Sequence, residues 1–362
     1  MFLNKNKIIS WISPFFANVI YKDLKGGLIY MRIYQTDLQK EAAKRPTELD
    51  FYLVANRRQL LKTPKEKYKL NRLIAGAEGE RIVLEYLKEF GEKHWVVLPN
   101  LWLNYFGNFE CDLILLTNHK CYLFEIKNYK GDFLYKDGII KIDGIQKNFN
   151  PIQQTRRNYR NLQEIINKVY PHVVVEGATL FTGINNAVFI ESEVSDIQII
   201  PRCYLKWYIR QIIKEERNNQ ERLINAKGII NQFLKYEIQQ SYLPDSLSEE
   251  QMSIARKGIY CAKCYDYQVK VNRFNVECRC GYKEDRKAAV LRTIYDYAVL
   301  NCDKELLRNH LLKFINGQAS KTYLVNLLNE YLTAIKKSRS SYYIVENFPY
   351  IKSQLNTLSF SQ

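Results

Sequence analysis

An apolar run that ends in charge limits what this chain can fold into more than any other feature. Cys121-Tyr122-Leu123-Phe124-Glu125-Ile126-Lys127 has the make-up of a buried strand, yet it carries Glu125 and Lys127. Side chains two apart on a strand share a face, so these two project together while Tyr122, Phe124 and Ile126 face the other way. Asp112 opens the preceding run, Asp112-Leu113-Ile114-Leu115-Leu116, and Thr117-Asn118-His119-Lys120 has the length and polarity of a hairpin turn. Such a hairpin brings Asp112 close to Glu125. Two carboxylates beside an ammonium suit phosphodiester hydrolysis. Carboxylate oxygens hold Mg2+ or Mn2+, and the lysine orients a water or stabilises the pentavalent transition state. The competing reading is a structural Glu125–Lys127 ion pair on a solvent-facing strand.

The neighbouring segments weigh on that choice. Gly76-Ala77-Glu78-Gly79-Glu80-Arg81 leads into Ile82, Val83, Leu84, Tyr86, Leu87 and Phe90, an apolar pattern that fits a helix packed on a sheet. Downstream come Asn128-Tyr129-Lys130-Gly131 and then Asn150-Pro151-Ile152-Gln153-Gln154, where another helix is expected to start. This ordered set resembles the nuclease-related domain family, NERD: a G-x-x-G-E helix start, an I-D or similar strand, E-[VI]-K-N followed by glycine, and N-P-x-x-Q. The resemblance implies an α/β core similar to the PD-(D/E)xK nucleases, a restriction-endonuclease-like sheet flanked by helices over residues 70–200. It also implies active-site positions at Glu80, Asp112, Glu125 and Lys127, with Gln154 as a supporting polar group. Glu78 competes with Glu80, and the register of the motif favours Glu80. Glu110-Cys111-Asp112 stands where the family often has Gln-Ile-Asp, so Glu110 adds a negative charge of unassigned role.

The 362 residues exceed one typical domain, and a hydrophobic content of 46% argues against general disorder. A formal net charge of +16 points to a polyanionic partner, nucleic acid in the simplest case and an anionic membrane surface in the competing one. Acidic and basic residues nearly balance over 70–135, whereas 251–362 hold about twice as many Lys and Arg as Asp and Glu. Positive charge thus lies mainly outside the proposed Mg2+ site.

Cys261-Ala262-Lys263-Cys264 and Cys278-Arg279-Cys280-Gly281, separated by a strand-like stretch with Val269, Val271, Phe274 and Val276, form the pattern of a zinc ribbon. Four thiolates leave no open coordination position, so Zn2+ there is structural. The second pair is C-x-C where ribbons normally use C-x2-C, which leaves Cys302 as a spare ligand and a redox pair as the other chemistry. Cys111, Cys121 and Cys203 are expected in cores. Thiols kept reduced for metal fit a cytoplasmic protein.

Residues 8–17 form a short apolar stretch after Lys5 and Lys7, too short to span a bilayer, and residues 1–30 are expected to be an extension. Past the ribbon, Ala288 to Leu300, Lys304 to Ile315 and Ala319 to Thr333 have helical spacing, with Val325, Leu328 and Leu332 facing inward. The last two flank Asn316-Gly317-Gln318, which suggests a helix-turn-helix followed by a basic loop and strand similar to a wing. The ribbon-then-helices order also resembles the C-terminal region of a group of NERD proteins. On that reading Lys321, Tyr323, Asn326 and Asn329 contact a groove, and Lys336, Lys337 and Arg339 contact phosphates.

The expected organisation is an N-terminal extension (1–69, partly helical), the nuclease-like domain (70–200), a helical region and linker (201–250), the ribbon (251–287) and a winged-helix-like module (288–362). No phosphate loop, nucleophile elbow or paired histidine spacing is present. The chain is therefore expected to be a Mg2+- or Mn2+-dependent nuclease acting on nucleic acid, DNA before RNA. A non-catalytic DNA-binding protein is the alternative, and a membrane-surface adaptor the third reading.

Overall fold

The computed structural model describes residues 31–184, 186–220, 222–239, 247–302, 305–336 and 341–348. The apolar stretch at 8–17, linker residues 244–246, Lys337 and Arg339 lie outside the described residues.

In chain order the elements are β1 (Arg32–Ile33), α1 (Asp37–Ala42), α2 (Glu48–Arg57), α3 (Pro64–Phe90), β2 (Val96–Asn104), β3 (Asn108–Leu116) and β4 (Lys120–Lys127). Three short strands follow, β5 (Phe133–Lys136), β6 (Ile139–Ile142) and β7 (Ile145–Lys147), then α4 (Pro151–Asn167), β8 (Val174–Phe181), β9 (Val188–Ile190) and β10 (Gln198–Pro201). Next come α5 (Leu205–Asn218), α6 (Ala226–Leu234), α7 (Glu249–Ile254), β11 (Val269–Val271), β12 (Asn275–Cys278) and β13 (Lys283–Asp285). The chain ends its described part with α8 (Arg286–Asn301), α9 (Arg308–Ile315), α10 (Lys321–Tyr331), β14 (Thr333–Lys336) and β15 (Ser341–Ile344).

These elements divide into two compact units. One comprises the described part of Tyr21–Gln39 with Ile74–Gln240; the other comprises Lys40–Leu73 with the described part of Ser241–Gln362. The boundary falls within α3, which runs unbroken through residue 70.

The first unit is built on a six-stranded mixed sheet of order β1-β2-β3-β4-β8-β10. Strand alternation sends Val97, Leu115, Tyr122, Phe124 and Ile126 to one face, where they meet Ile82, Val83, Leu84 and Leu87 of α3 and Leu205, Tyr208, Ile209 and Ile212 of α5. Leu98, Ile114, Leu116, Cys121 and Leu123 pack on the other face against Leu162, Ile165 and Ile166 of α4 and Ile229, Ile230 and Phe233 of α6. A second sheet, β7-β6-β5-β9, adds its own small core around Phe133, Tyr135 and Ile140.

Two motif segments gain a local explanation. Asn150 caps α4 by accepting from the Gln153 amide at 3.0 Å, and Pro151 fills the first helical position, so N-P is a helix start. Gly79 lets α3 press onto the sheet: a Cβ there would stand 2.9 Å from Thr182 Oγ1 and 3.0 Å from Asn128 Cβ. Asn128 fixes the same approach by donating to the Ala75 carbonyl at 2.9 Å.

In the second unit the three-stranded sheet β11-β12-β13 leads into α8, which is buried along nearly its whole length. Arg58, fully buried just after α2, donates to Asp296 Oδ2 of α8 at 2.9 Å and to the Gly258 carbonyl at 2.6 Å. It lies against the rings of Phe314 and Tyr260, so this part of the N-terminal sequence packs into the C-terminal core. α9 and α10 join through Asn316 and Gly317, both at positive φ, and β14 pairs with β15, which also bridges Leu306. Thr333 begins a strand where helix was expected, because Leu332 already has extended backbone and Thr333 and Ile335 favour it. Leu324, Leu327 and Leu328 are the buried positions of α10, while Val325 is only partly covered.

Candidate active site

The site lies where two strands part. β3 pairs with β4 from Leu116↔Cys121 to Leu113↔Phe124 and then leaves it, so the next inward N–H of β4, that of Ile126, lacks a strand partner. The Asp112 carboxylate supplies one, with Oδ2 2.7 Å from the Ile126 nitrogen. On the other side, the β2–β3 ladder passes from Pro99↔Leu113 to Leu101↔Cys111, skipping Asn100 and Asp112. Asn100 sits at φ 50°, and the flanking side chains change faces there: Leu113 packs with α3, Cys111 with α4. Gln39 holds this kink by donating to the Pro99 and Asn100 carbonyls at 2.7 and 3.0 Å.

Four carboxyls and one ammonium gather at this fork. Glu125, fully buried, pairs with Lys127 Nζ through Oε1, while Oε2 lies 3.5 Å from Asn158 Nδ2. The Asp112 carboxyl lies within hydrogen-bonding reach of Glu125. Glu80 projects from α3 and accepts from Asn100 Nδ2 at 3.2 Å; Glu110 accepts from Trp102 Nε1 at 3.0 Å.

Their electrostatics follow from crowding with little water. Burial, then the charge of Asp112, pushes Glu125 and Glu80 up to about 8 and Glu110 up to about 7. Burial also raises Asp112, against Lys127 and the Ile126 amide, which favour its charged form. Burial pulls the Lys127 ammonium down, but Glu125 and Asp112 outweigh it and hold the group above the usual lysine value. One ammonium thus faces four carboxyls. Crowded carboxyl oxygens of this kind, once their protons leave, are the donor type that a hard divalent cation takes.

Of the remaining motif residues, Glu78 turns to Arg81, with Oε1 2.7 Å from Nη2, on the helix surface away from this cluster. Gln154 shows no side-chain hydrogen bond to Asp112, Glu125 or Lys127 among the described residues. Asn158, one turn further along α4, reaches Glu125 instead, and it also donates to the Glu110 carbonyl at 2.9 Å. The sequence reading missed Asn158 and Asn100; the signal for Asn158 was the four-residue step from Gln154 along an inward helix face.

The second constellation is closed. Cys261, Cys264, Cys278 and Cys280 place their sulfurs within 4.8 Å of one another, the one such group of three or more metal-ligand-type side chains among the described residues. Cys261–Cys280 and Cys264–Cys278 separations are 3.7 and 3.5 Å, close to the ~3.8 Å edge of a tetrahedron with Zn–S bonds of about 2.3 Å. The short C-x-C knuckle closes because Gly281, at φ 81°, lets the chain turn and donate to the Cys278 carbonyl at 3.0 Å. Cys302 is not in the cluster and donates to the Val299 carbonyl at 3.0 Å. Cys203, expected in a core, is exposed because the inward face of α5 begins at Leu205.

On α10, Lys321 and Asn326 are exposed. Tyr323 is half-buried beneath Arg286, and Asn329 accepts from the Tyr343 hydroxyl at 3.2 Å, tying the helix to the hairpin. Lys336 is exposed at the end of β14.

Among the described residues no helix is long and apolar enough to cross a membrane. No curated protein and no solved structure matches the chain. A family model does match: NERD, the nuclease-related domain, over residues 75–182, from the helix that carries Glu80 to the end of β8. That segment of the chain, with the carboxylate fork inside it, is a nuclease-related domain of the NERD family.

Proposed function

We propose that the chain is a metal-dependent nuclease that hydrolyses phosphodiester bonds, in DNA before RNA, with a Zn2+ held structurally by Cys261, Cys264, Cys278 and Cys280. The observation that carries this reading is the Asp112–Glu125–Lys127 fork: buried charge at the point where a sheet opens, inside a nuclease-related domain. Asp112 and Glu125 would hold Mg2+ or Mn2+, with Glu80 joining through water or a second ion. When bound, such a cation activates water and neutralises charge at phosphorus.

The chain's own residues set the rest. The Ile126 amide fixes Asp112, and Asn158 restrains Glu125, so neither carboxylate must be ordered at the moment of reaction. Lys127 remains charged at neutral pH and carries donors for the attacking water or the phosphoryl oxygens. DNA is favoured because α9, α10 and the β14–β15 hairpin have the order of a winged helix, whose second helix fits the wide major groove of B-form DNA but not the deep, narrow one of A-form RNA. Lys321 and Asn326, both exposed, would contact a groove and exposed Lys336 a phosphate; Lys337 and Arg339 belong to the same proposal by sequence alone.

The test is incubation of wild type, Asp112→Ala and Lys127→Ala with labelled single- and double-stranded DNA and RNA, with Mg2+, Mn2+ or chelator. Metal-dependent cleavage by wild type should fall by about 10²–10³ or more in each variant. One observation favours a second reading: Lys127 closes onto Glu125, and the carboxylates do not gather as tightly as the thiols. A non-catalytic DNA-binding protein would keep its affinity in Asp112→Ala and show no metal-dependent cleavage in wild type.

A further inference from the structure

α5 buries Leu205, Tyr208, Ile209 and Ile212 in the sheet core, packs Ile213 and Glu216 at its margin, and turns its opposite face to solvent. Beyond Glu215 and Arg217, which form surface ion pairs with Lys120 and Glu92, that outer face carries aromatic rings among cations. Tyr204 and Trp207 are 56% and 54% exposed, with ring centroids 6.3 Å apart in an edge-on arrangement. Lys206, Arg210 and Lys214 are exposed beside and beyond them, and Arg210 and Lys214 line a groove of about 490 Å3 together with Phe90 and Glu89 of α3. Lys206 lies over the Phe90 ring at 4.3 Å, which sets its charge at the edge of the same groove.

The position of this face gives it meaning. Lys127 is level with Phe181 across the β4–β8 ladder, and Phe181 with Pro201 across β8–β10. Arg202 then donates to the Thr182 carbonyl at 2.9 Å, and α5 starts three residues later. The aromatic pair therefore stands at the same end of the sheet as the carboxylate fork, and the cations continue along the helix away from it.

We propose that this face of α5 binds an unpaired nucleic-acid strand, bases stacking on Tyr204 and Trp207 and phosphates meeting Lys206, Arg210 and Lys214, and leads that strand to the fork. Exposed rings interleaved with cations are what a single strand needs, since every base has a π-face while the backbone supplies regular negative charge. A lipid surface is the poorer fit, because the apolar face of α5 is already committed to the core and two rings alone remain for insertion. The proposal rests on the nuclease reading only for what happens at the end of the path, so binding tests it separately from cleavage.

The full chain is titrated with a fluorescein-labelled thymidine oligonucleotide and with phosphatidylserine vesicles, without added Mg2+, using wild type, Tyr204→Ala/Trp207→Ala and Lys206→Gln/Arg210→Gln/Lys214→Gln. The ring variant should bind the oligonucleotide about tenfold more weakly, and the charge variant should flatten the log K against log salt slope by about 2, with unchanged thermal midpoints. Wild-type affinity in both variants would overturn the proposal, as would a loss confined to vesicles. Binding through α5 without Mg2+-dependent cleavage would remove the nuclease reading and leave this one. Mg2+-dependent cleavage and strand binding that ignore both variants would do the reverse.

Discussion

The carboxylate fork and the thiol cluster are both built to collect ligand atoms, and they do it in opposite ways. Four sulfurs lie mutually within 4.8 Å on two tight knuckles, whereas Glu80, Glu110, Asp112 and Glu125 come from three elements and repel one another where they are buried. A closed set holds its ion for the sake of the fold; an open, strained set keeps capacity for water and substrate. On the proposed function, the contrast is that between a structural site and a chemical one.

With zinc held as proposed, removing it from the closed site should have the largest effect. Cys261→Ser, or extraction of zinc, puts about 10 kcal/mol of apparent binding energy at stake and should unfold the ribbon, read by zinc content and thermal unfolding. An unchanged midpoint after complete zinc loss would erase the distinction. At the fork, glycine substitutions sharpen it on a smaller scale. Gly79→Ala brings a Cβ into Thr182 and Asn128 and should cost about 1–3 kcal/mol, beyond any gain in helix propensity. Gly76→Ala, with nothing within 4 Å of the added atom, should instead stabilise by up to about 1 kcal/mol. The two midpoints should move in opposite directions; a shift of the same sign would show that α3 does not press on the site through Gly79.

Smaller still is the response to pH. Glu80 and Glu125 near 8 and Glu110 near 7 keep protons in the folded state that the unfolded chain releases in the ordinary carboxylate range. Their contribution to stability is therefore present at low pH and is lost as pH rises through about 7 to 8. On the proposed reading Mg2+ would take the place of those protons, so the rise in thermal midpoint on adding Mg2+ should grow between about pH 6 and about pH 9. A gain independent of pH would place the ion elsewhere.

What the sequence made legible follows the same division. Glu125 and Lys127 stood out because charge inside an apolar run breaks a period of two, and the thiols stood out because knuckle spacing is local. Asp112 came within reach once the hairpin was recognised. Asn100 could not be found that way: its role depends on a left-handed residue that interrupts β2 opposite Asp112, which only strand pairing reveals. Arg58 is a similar case, lying 238 positions from Asp296, so nothing nearby in the chain announces its burial. The β5–β7 strands were missed because three- and four-residue strands carry little periodicity of their own, although Asp137-Gly138 and Asp143-Gly144, all at positive φ, were legible two-residue hairpin turns. Asn158 was passed over for Gln154 because the motif marks the helix start, while the inward turn that meets the sheet comes one turn later.

The most direct test of the open site is Mn2+ binding, measured by electron paramagnetic resonance on zinc-loaded wild type, Asp112→Asn and Glu125→Gln. Wild type should bind Mn2+, and each variant should lose about tenfold or more in Mn2+ affinity while zinc content stays constant. Equal Mn2+ binding in all three proteins, or Mn2+ that appears only as zinc leaves, would contradict the carboxylate fork as a cation site.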